Sequence, residues 1–515
     1  MTQITHALLS VYDKTGLVEL AQFLHGQNIQ ILSTGGSAKT IRNANIPVTD
    51  VSDVTGFPEI FDGRVKSLHP KIHGGILARR DNESDQQTMA AQQIAPIGLV
   101  VVNLYPFEQT LKDGGTYDEL VEKIDIGGPS MLRSAAKNHA YVTVISDPAD
   151  YTKLMGDLEQ HGGNTTCKKF RRKMAAKAFS LSASYDAAIS KWLNTEVGQD
   201  LPPKLSLSFE KVYDLRYGEN PHQQAAFYQS KNGELGLANA QQLQGKELSY
   251  NNINDGDAAL SMVAEFKEPA CIIVKHANPC GGAVATNIET AWQNALKGDP
   301  VSAFGGIVAF NRTVTATVAT ELANIFLEVI IAPSFSVEAK EILEAKNNLR
   351  LLEFPYMSEL KETYTYRSVK GGLLVQSQDN DLFEGEPQCV TKRAPTAQEL
   401  KDLHFAWIIS KYVKSNAILF AKNQMIIGTG AGQMSRVDAT LNAIRKATET
   451  KNDMRGGVVA SDAFYPFPDG LIAAAKAGIT AAIQPGGSIK DEAVIEAANE
   501  YDMAMLITKM RHFRH

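Results

Sequence analysis

The stretch from His6 to Lys39, HALLSVYDKTGLVELAQFLHGQNIQILSTGGSAK, decides the fold class. His6-Ala-Leu-Leu-Ser10 reads as a short buried strand, and Thr15 to His25 carries apolar residues at helical spacing. Ile29-Gln-Ile-Leu-Ser33 reads as a second strand, and a helix opens near Ser37. Strands alternating with helices imply βαβ units and a mainly parallel sheet, whose ligands sit at the carboxyl ends of the strands. Small polar residues and cations stand at those ends. Ser10-Val-Tyr-Asp-Lys14 follows the first strand, and Ser33-Thr34-Gly35-Gly36-Ser-Ala-Lys39 follows the second. Glycine lets backbone approach a phosphate, and the following helix offers free N–H groups. The Gly pair serves equally as a tight turn, and Ala38 before Lys39 rules out a Walker A loop. Lys14, with Arg64 and Lys66 from Gly63-Arg-Val-Lys-Ser67-Leu-His-Pro70, tips the balance towards an anion site.

Working outward, Ile97–Val102 and Tyr141–Ile145 are further buried strands. Asn103-Leu-Tyr-Pro-Phe107 follows the first of these, so Tyr105 either faces a site or packs as a core aromatic. Asp125-Ile-Gly127-Gly-Pro-Ser-Met-Leu-Arg133 has Pro129 suited to a first helical turn. Asp125 either caps that turn or exchanges protons with a ligand; its spacing favours the cap.

A chain of 515 residues exceeds one hydrophobic core. The Pro-Pro segment Asn194 to Glu210 breaks the rhythm, which predicts an N-terminal domain over 1–195 and a second α/β region over 196–515. That region has apolar strands at Cys271–Lys275, Gly306–Phe310, Ala417–Ala421 and Gly457–Ser461. A faint echo pairs Val274-Lys-His with Val413-Lys-Ser-Asn416, a likeness that coincidence explains as well as duplication. Net charge −6 argues against a protein that coats nucleic acid. The four scattered cysteines form no disulfide framework or CxxC pair, which fits a reducing compartment. The N-terminal residues lack a signal-peptide pattern, and no apolar run spans a membrane, so a cytoplasmic location is expected.

Lys275-His276 stands directly after an apolar strand, in Lys-His-Ala-Asn-Pro-Cys-Gly-Gly. Neutral His is the usual general base near pH 7, though a satisfied histidine at a strand end is as common. Zinc nucleobase deaminases carry H-x-E with P-C-x-x-C. Here Asn278 replaces the Glu, and Pro279-Cys280 has no second Cys three residues on, so no metal is expected.

Taken together, SVYDKTGLVELA, GRVKSLHPKIHGGIL, NLYPF, IDIGGPSMLRSAAKN, LRYGENPHQ, VKHANPCG, GAGQMSRVDA and MRHFRH resemble a known family along essentially the whole chain. It is the bifunctional family joining phosphoribosylaminoimidazolecarboxamide formyltransferase to IMP cyclohydrolase. The resemblance implies a methylglyoxal-synthase-like first domain and a duplicated cytidine-deaminase-like second region without zinc. In the first domain it implies a 5′-phosphate on Ser10 to Lys14, Ser33 to Gly36, Arg64 and Ser67. Asn103 and Gly127 would bind substrate beside it, and Lys66, Tyr105, Asp125 and Lys137 would close the ring. In the second it makes His276 the base, steadied with the oxyanion by Lys275 and Asn416. Arg216, Tyr217, Asn252, Arg436, Phe464, Arg511 and Phe513 would hold the nucleotide, and Val301, Phe304, Pro466 and Asp469 the folate side. Glu328 stands where some relatives have Asp, which leaves a folate contact there open. The resemblance further implies 10-formyltetrahydrofolate as cosubstrate, no tightly bound cofactor, room for a structural monovalent cation, and a homodimer with shared transformylase sites. Two alternatives remain at this stage: a nucleotide-sensing first domain beside a transformylase, and a zinc deaminase.

Overall fold

The computed structural model describes residues 3–230, 235–359 and 364–515. The chain divides into two compact units, Met1–Glu210 with Ser230–Gly233, and Lys211–Gln229 with Glu234–His515. The Pro-Pro segment belongs to the first unit, after a long helix, Lys168–Glu196.

The first unit is built on five strands: β1 (His6–Ser10), β2 (Gln30–Ser33), β3 (Thr49–Asp50), β4 (Ile97–Val102) and β5 (Thr143–Ile145). Their order is β3-β2-β1-β4-β5, and every neighbouring pair is parallel. All six residues of β4 are buried, as a strand covered on both faces requires. Leu17, Leu20 and Leu24 of the helix Leu17–Gly26 pack into the same core as Leu8, Leu9 and Val100. The strand order reverses between β1 and β4, so the crevice beyond their carboxyl ends is where a ligand belongs.

A small hairpin pairs β6 (Phe209–Leu215) with β7 (Ala225–Ser230). The second unit holds a 12-stranded sheet whose two halves repeat one plan. One half runs β8 (Gln241–Gln244), helix Tyr250–Ala264, hairpin β9 (Ala270–Lys275) and β10 (Asn278–Val284), helix Ile288–Gly298, then β11 (Gly306–Phe310), β12 (Leu327–Ala332) and β13 (Arg350–Glu353). A separate hairpin, β14 (Tyr364–Val369) with β15 (Gly372–Ser377), follows. The other half runs β16 (Gln388–Cys389), helix Ala397–Ser410, hairpin β17 (Ile418–Lys422) and β18 (Met425–Gly430), helix Arg436–Glu449, then β19 (Gly457–Ser461), β20 (Ile479–Gln484) and β21 (Ala504–Ile507). The sheet reads β16-β21-β20-β19-β17-β18 and then β10-β9-β11-β12-β13-β8, which is the same order reversed about the β18–β10 pairing.

The duplication is therefore present, but in another register from the Val-Lys echo. Lys275 at the end of β9 corresponds to Lys422 at the end of β17, and His276 corresponds to Asn423. Val413 and Lys414 lie between helix and hairpin instead. Two matching backbone clamps decide the register. Asp255 accepts from the N–H groups of His276 and Ala277, and Asp402 accepts from those of Asn423 and Gln424, at sequence separations of 21 and 22 in both halves. A Val-Lys pair is too common to carry that information; a bidentate carboxylate on a turn is not.

Candidate functional site

In the first unit, the loops beyond β1, β2 and β4 surround a cleft of about 720 Å³, within the size range of small-molecule sites. Ser10, Lys14, Thr34, Gly36, Arg64, Lys66, Ser67, Asn103, Tyr105, Asp125 and Gly127 all line it. Two helices begin at its wall, Gly35–Asn43 and Gly127–Lys137, and neither has an acidic residue in its first turn. The free N–H groups and positive dipole end of the helix Gly35–Asn43 make its side of the wall attractive to an anion, whereas Gly128 N–H at the other helix start is taken by Asp125. Gly35 has φ 44°, a conformation that favours glycine, and a Cβ there would stand 3.8 Å from Lys66 Nζ. A Cβ on Gly36 would stand 3.7 Å from Lys14 Nζ. Both ammonium groups thus flank the same helix start. Asn103 accepts from the N–H groups of Tyr12 (2.6 Å) and Asp13 (3.1 Å) and donates to Asp13 O (2.9 Å), which fixes the loop after β1.

Asp125 caps the turn and also lines the cleft. Its Oδ1 accepts from Gly128 N–H at 2.8 Å, and the residue faces the cleft. Burial pushes its carboxyl above the usual range, against the opposing pull of the Gly128 and Tyr105 N–H groups and of Lys66. The Tyr185 hydroxyl accepts from Asp125 N–H at 2.9 Å and donates to Lys123 O at 2.6 Å, so Tyr185 holds this corner from behind. Tyr105 meets Tyr12 edge-on at 5.8 Å. Arg64 is paired with Glu122, and Lys66 Nζ lies 3.6 Å from Glu59.

Two residues expected here stand elsewhere. Ser33 is buried with its hydroxyl donating to Leu9 O at 2.6 Å, a sheet contact. Lys137 is exposed at the far end of the helix Gly127–Lys137, about 15 Å of helical rise from Gly127. Glu122 and Lys123 line the cleft without having been singled out, and Tyr12 lines it from the Ser10 to Lys14 loop.

In the second unit the Lys275-His276-Ala277-Asn278 turn joins β9 to β10, with His276 at φ 53° and Ala277 at φ 56°. Asp255 clamps it at 2.9 Å to each N–H, and His276 is exposed. Asn278 Oδ1 accepts from Lys414 N–H at 3.0 Å, which ties the turn to the stretch bearing Asn416. Asn416, at φ 57°, donates from Nδ2 to Gln433 O at 2.7 Å. Lys275 Nζ donates to Phe304 O. The Phe304 ring lies 5.2 Å from Phe326, and Val301 beside it is 79% exposed, so bare apolar surface adjoins the turn.

Arg436 is buried, donating from Nε to Ser461 Oγ (2.7 Å) and from Nη2 to Asp462 Oδ1 (2.5 Å). Burial raises the Asp462 carboxyl despite that partner. Arg511 lies over Phe513 at 4.5 Å, and Arg216 over Tyr217 at 5.6 Å. Asn252 sits in a capping box with Ser249, each 3.1 Å bond running to the other's backbone N–H. That spends its side-chain oxygen one helical turn before Asp255. Phe464 and Pro466 are exposed after β19, and Asp469 opens the helix Asp469–Lys476. Glu328 pairs with Arg350 at 2.7 Å. Asp255 and Asp402 went unnoticed in the sequence; their equal spacing to the two turns was the available signal.

The turn does not resemble a zinc centre. Cys280 Sγ points to Ile273 O at 3.5 Å, and burial pushes its thiol up to about 12. Among the described residues, ligand atoms of Asp157, His161 and Cys167 come within 4.8 Å of one another in the first unit. Two of these residues already serve the local backbone: Asp157 Oδ2 accepts from Cys167 N–H at 2.8 Å, and His161 Nδ1 faces Asp157 O at 2.7 Å.

A family model described as the AICARFT/IMPCHase bienzyme matches residues 135–446, and one described as an MGS-like domain matches residues 16–130. The bifunctional purine biosynthesis protein PurH of Rhodospirillum rubrum is 54% identical, with 99% of each chain covered. The chain belongs to the AICARFT/IMPCHase bienzyme family. PurH of Parvibaculum lavamentivorans is 53% identical over 100% of this chain and 97% of its own. The bienzyme's MGS-like match falls on the parallel-sheet unit that carries the cleft. No described helix of this bienzyme is long and apolar enough to cross a membrane.

Proposed function

We infer that this chain performs two consecutive reactions. It transfers a formyl group from 10-formyltetrahydrofolate to the 5-amino group of aminoimidazole carboxamide ribonucleotide, then closes the formylated product to inosine monophosphate with loss of water. Family membership along the whole length carries the reading. Cyclohydrolase chemistry is assigned to residues 1–195 and transformylase chemistry to 196–515.

Ring closure belongs to the cleft. Lys14, Arg64, Ser67 and the start of the helix Gly35–Asn43 take the 5′-phosphate, and Lys66 with Tyr105 donates to the formyl oxygen. The carboxamide nitrogen attacks the formyl carbon, Asp125 accepts the amide proton, and the formyl oxygen departs as water. The raised Asp125 carboxyl supports a proton-exchanging role.

Formyl transfer belongs to the His276 turn. The 5-amino nitrogen attacks the formyl carbon, His276 takes its proton, and Lys275 and Asn416 stabilise the tetrahedral oxyanion until tetrahydrofolate leaves. The exposed Val301 and Phe304 beside the turn suit the aromatic body of a folate. The second hairpin has Asn423 where the first has His276, and Met425 where the first has Asn278, so only one of the two turns keeps a base. A homodimer with shared transformylase sites, a cytoplasmic location and a structural monovalent cation belong to the same reading.

The test follows absorbance with the ribonucleotide and 10-formyltetrahydrofolate. Wild type should form inosine monophosphate, His276→Ala should block formylation, and Lys66→Ala should accumulate the formylated intermediate. Wild type stopping at that intermediate refutes the cyclohydrolase assignment and leaves a sensing domain.

A further inference from the structure

Segment 508–515 crosses the second unit without regular secondary structure, yet it is tied down at each step. Thr508 N–H donates to Gln484 O (3.0 Å), Lys509 N–H to Pro485 O (3.0 Å), and His512 N–H to Asp462 O (3.0 Å). Arg514 O accepts from Ser415 N–H at 2.8 Å, next to Asn416. The strap therefore connects the residue that holds Arg436 with the stretch that bears Asn416.

Along it, exposure alternates: Arg511 exposed, His512 at 0%, Phe513 exposed. Side chains on an extended chain alternate between faces, so anchoring one residue aims both its neighbours the other way. The 4.5 Å stacking of Arg511 on Phe513 is the expected result of such an arrangement. The anchor is polar. His512 Nδ1 donates to Asp379 Oδ2 at 2.7 Å, and its ring meets Trp407 edge-on at 5.0 Å. Trp407 Nε1 in turn donates to Leu382 O at 2.8 Å, locking the loop that carries Asp379. An apolar side chain would fill that space equally well, so a buried imidazole with a carboxylate partner implies that its direction matters.

We propose that His512, gripped by Asp379, is the positioning residue that presents Arg511 and Phe513 to the ribonucleotide of the transformylase site. This rests on the reading above that Arg511 and Phe513 hold that ligand. Nothing in the pair touches the reacting atoms; it acts by setting where its neighbours point.

The test uses the full-length protein and transformylase kinetics. Asp379 is 44% exposed, so Asp379→Ala removes the grip without opening the core. Asp379→Ala and Arg511→Ala should each raise KM for the ribonucleotide roughly tenfold with kcat within about twofold. Asp379→Asn retains an acceptor oxygen and should stay near wild type. His512→Asn, which keeps a donor near the Nδ1 position, should be milder than His512→Ala. A raised KM in Arg511→Ala beside a wild-type KM in Asp379→Ala overturns the positioning role alone. An unchanged KM in Arg511→Ala overturns the ribonucleotide assignment, and the positioning role with it. Lowered melting temperature with unchanged KM in Asp379→Ala also overturns it, because the pair then serves stability only.

Discussion

The Asp255 carboxylate holds the backbone of His276 in place: Oδ2 accepts from His276 N–H and Oδ1 from Ala277 N–H, both at 2.9 Å. Both residues have positive φ, which non-glycine residues adopt at a cost, so the clamp stabilises a conformation the turn would otherwise resist. Asp255→Ala should lower transformylase kcat/KM by roughly 10- to 100-fold through misplacement of His276. Asp255→Asn, with one acceptor oxygen instead of two, should fall between. Cyclohydrolase rates on the formylated intermediate should not change. Equal loss of both activities in Asp255→Ala would indicate unfolding instead, and circular dichroism distinguishes the two.

Gly128 is fixed by crowding. A Cβ there collides with Asp125 Oδ2 and stands 2.9 Å from the Leu104 side chain. Gly128→Ala should therefore push Asp125 out of its cap and cost about 1–3 kcal/mol in stability. Cyclohydrolase should fall at least roughly tenfold while formylation persists. Gly127→Ala meets only the tip of Ser67, 3.0 Å away, and should be gentler. A Gly128→Ala enzyme with wild-type ring closure would remove Asp125 from the reaction.

Asp125 also makes a pH-dependent contribution. Its folded-state carboxyl titrates above the ordinary range because burial disfavours the charge. The fold thus prefers the protonated form, and stability is lost as pH rises from the unfolded value through the raised one. Above the raised value that loss is complete. Asp125→Asn, able to accept from Gly128 N–H, should then raise the melting temperature by roughly a few degrees at pH 7 while abolishing ring closure. The gain should vanish in acid, where both states of the wild type are protonated. A gain independent of pH would mean that the charge is not its source.

Continuous apolar runs made the strands legible. Ile97–Val102, Gly306–Phe310 and Gly457–Ser461 form β4, β11 and β19 with those same limits. The first cleft was legible in part, since Lys14 and the Gly35-Gly36 pair directly follow strands in a parallel sheet, where topology dictates the ligand's place. The position of Lys137, exposed at the last residue of the helix Gly127–Lys137, was not legible, because nothing local tells which end of a helix faces a cleft. The register of the duplication was hidden for a different reason. Asp255 lies in a helix, Asn-Asn-Ile-Asn-Asp-Gly-Asp, where several polar residues look alike, and its target is a turn 21 residues later. The equal spacing of Asp402 to Asn423 marks the carboxylate only once the register of the two halves is known.

The duplication supplies the sharpest control. Asp402 grips Asn423 (2.9 Å) and Gln424 (2.7 Å) as Asp255 grips its own turn, yet no histidine stands there. If the clamp serves a general structural purpose in both halves, Asp402→Ala and Asp255→Ala should impair formylation alike. If its function at Asp255 is to aim His276, Asp402→Ala should cost about 1–3 kcal/mol from two lost hydrogen bonds at part-buried N–H groups but leave transformylase KM and kcat near wild type. Chemical denaturation and steady-state kinetics on the two variants, measured side by side, separate these cases. We expect the second, because Asn423 and Met425 replace His276 and Asn278 in the hairpin that Asp402 holds.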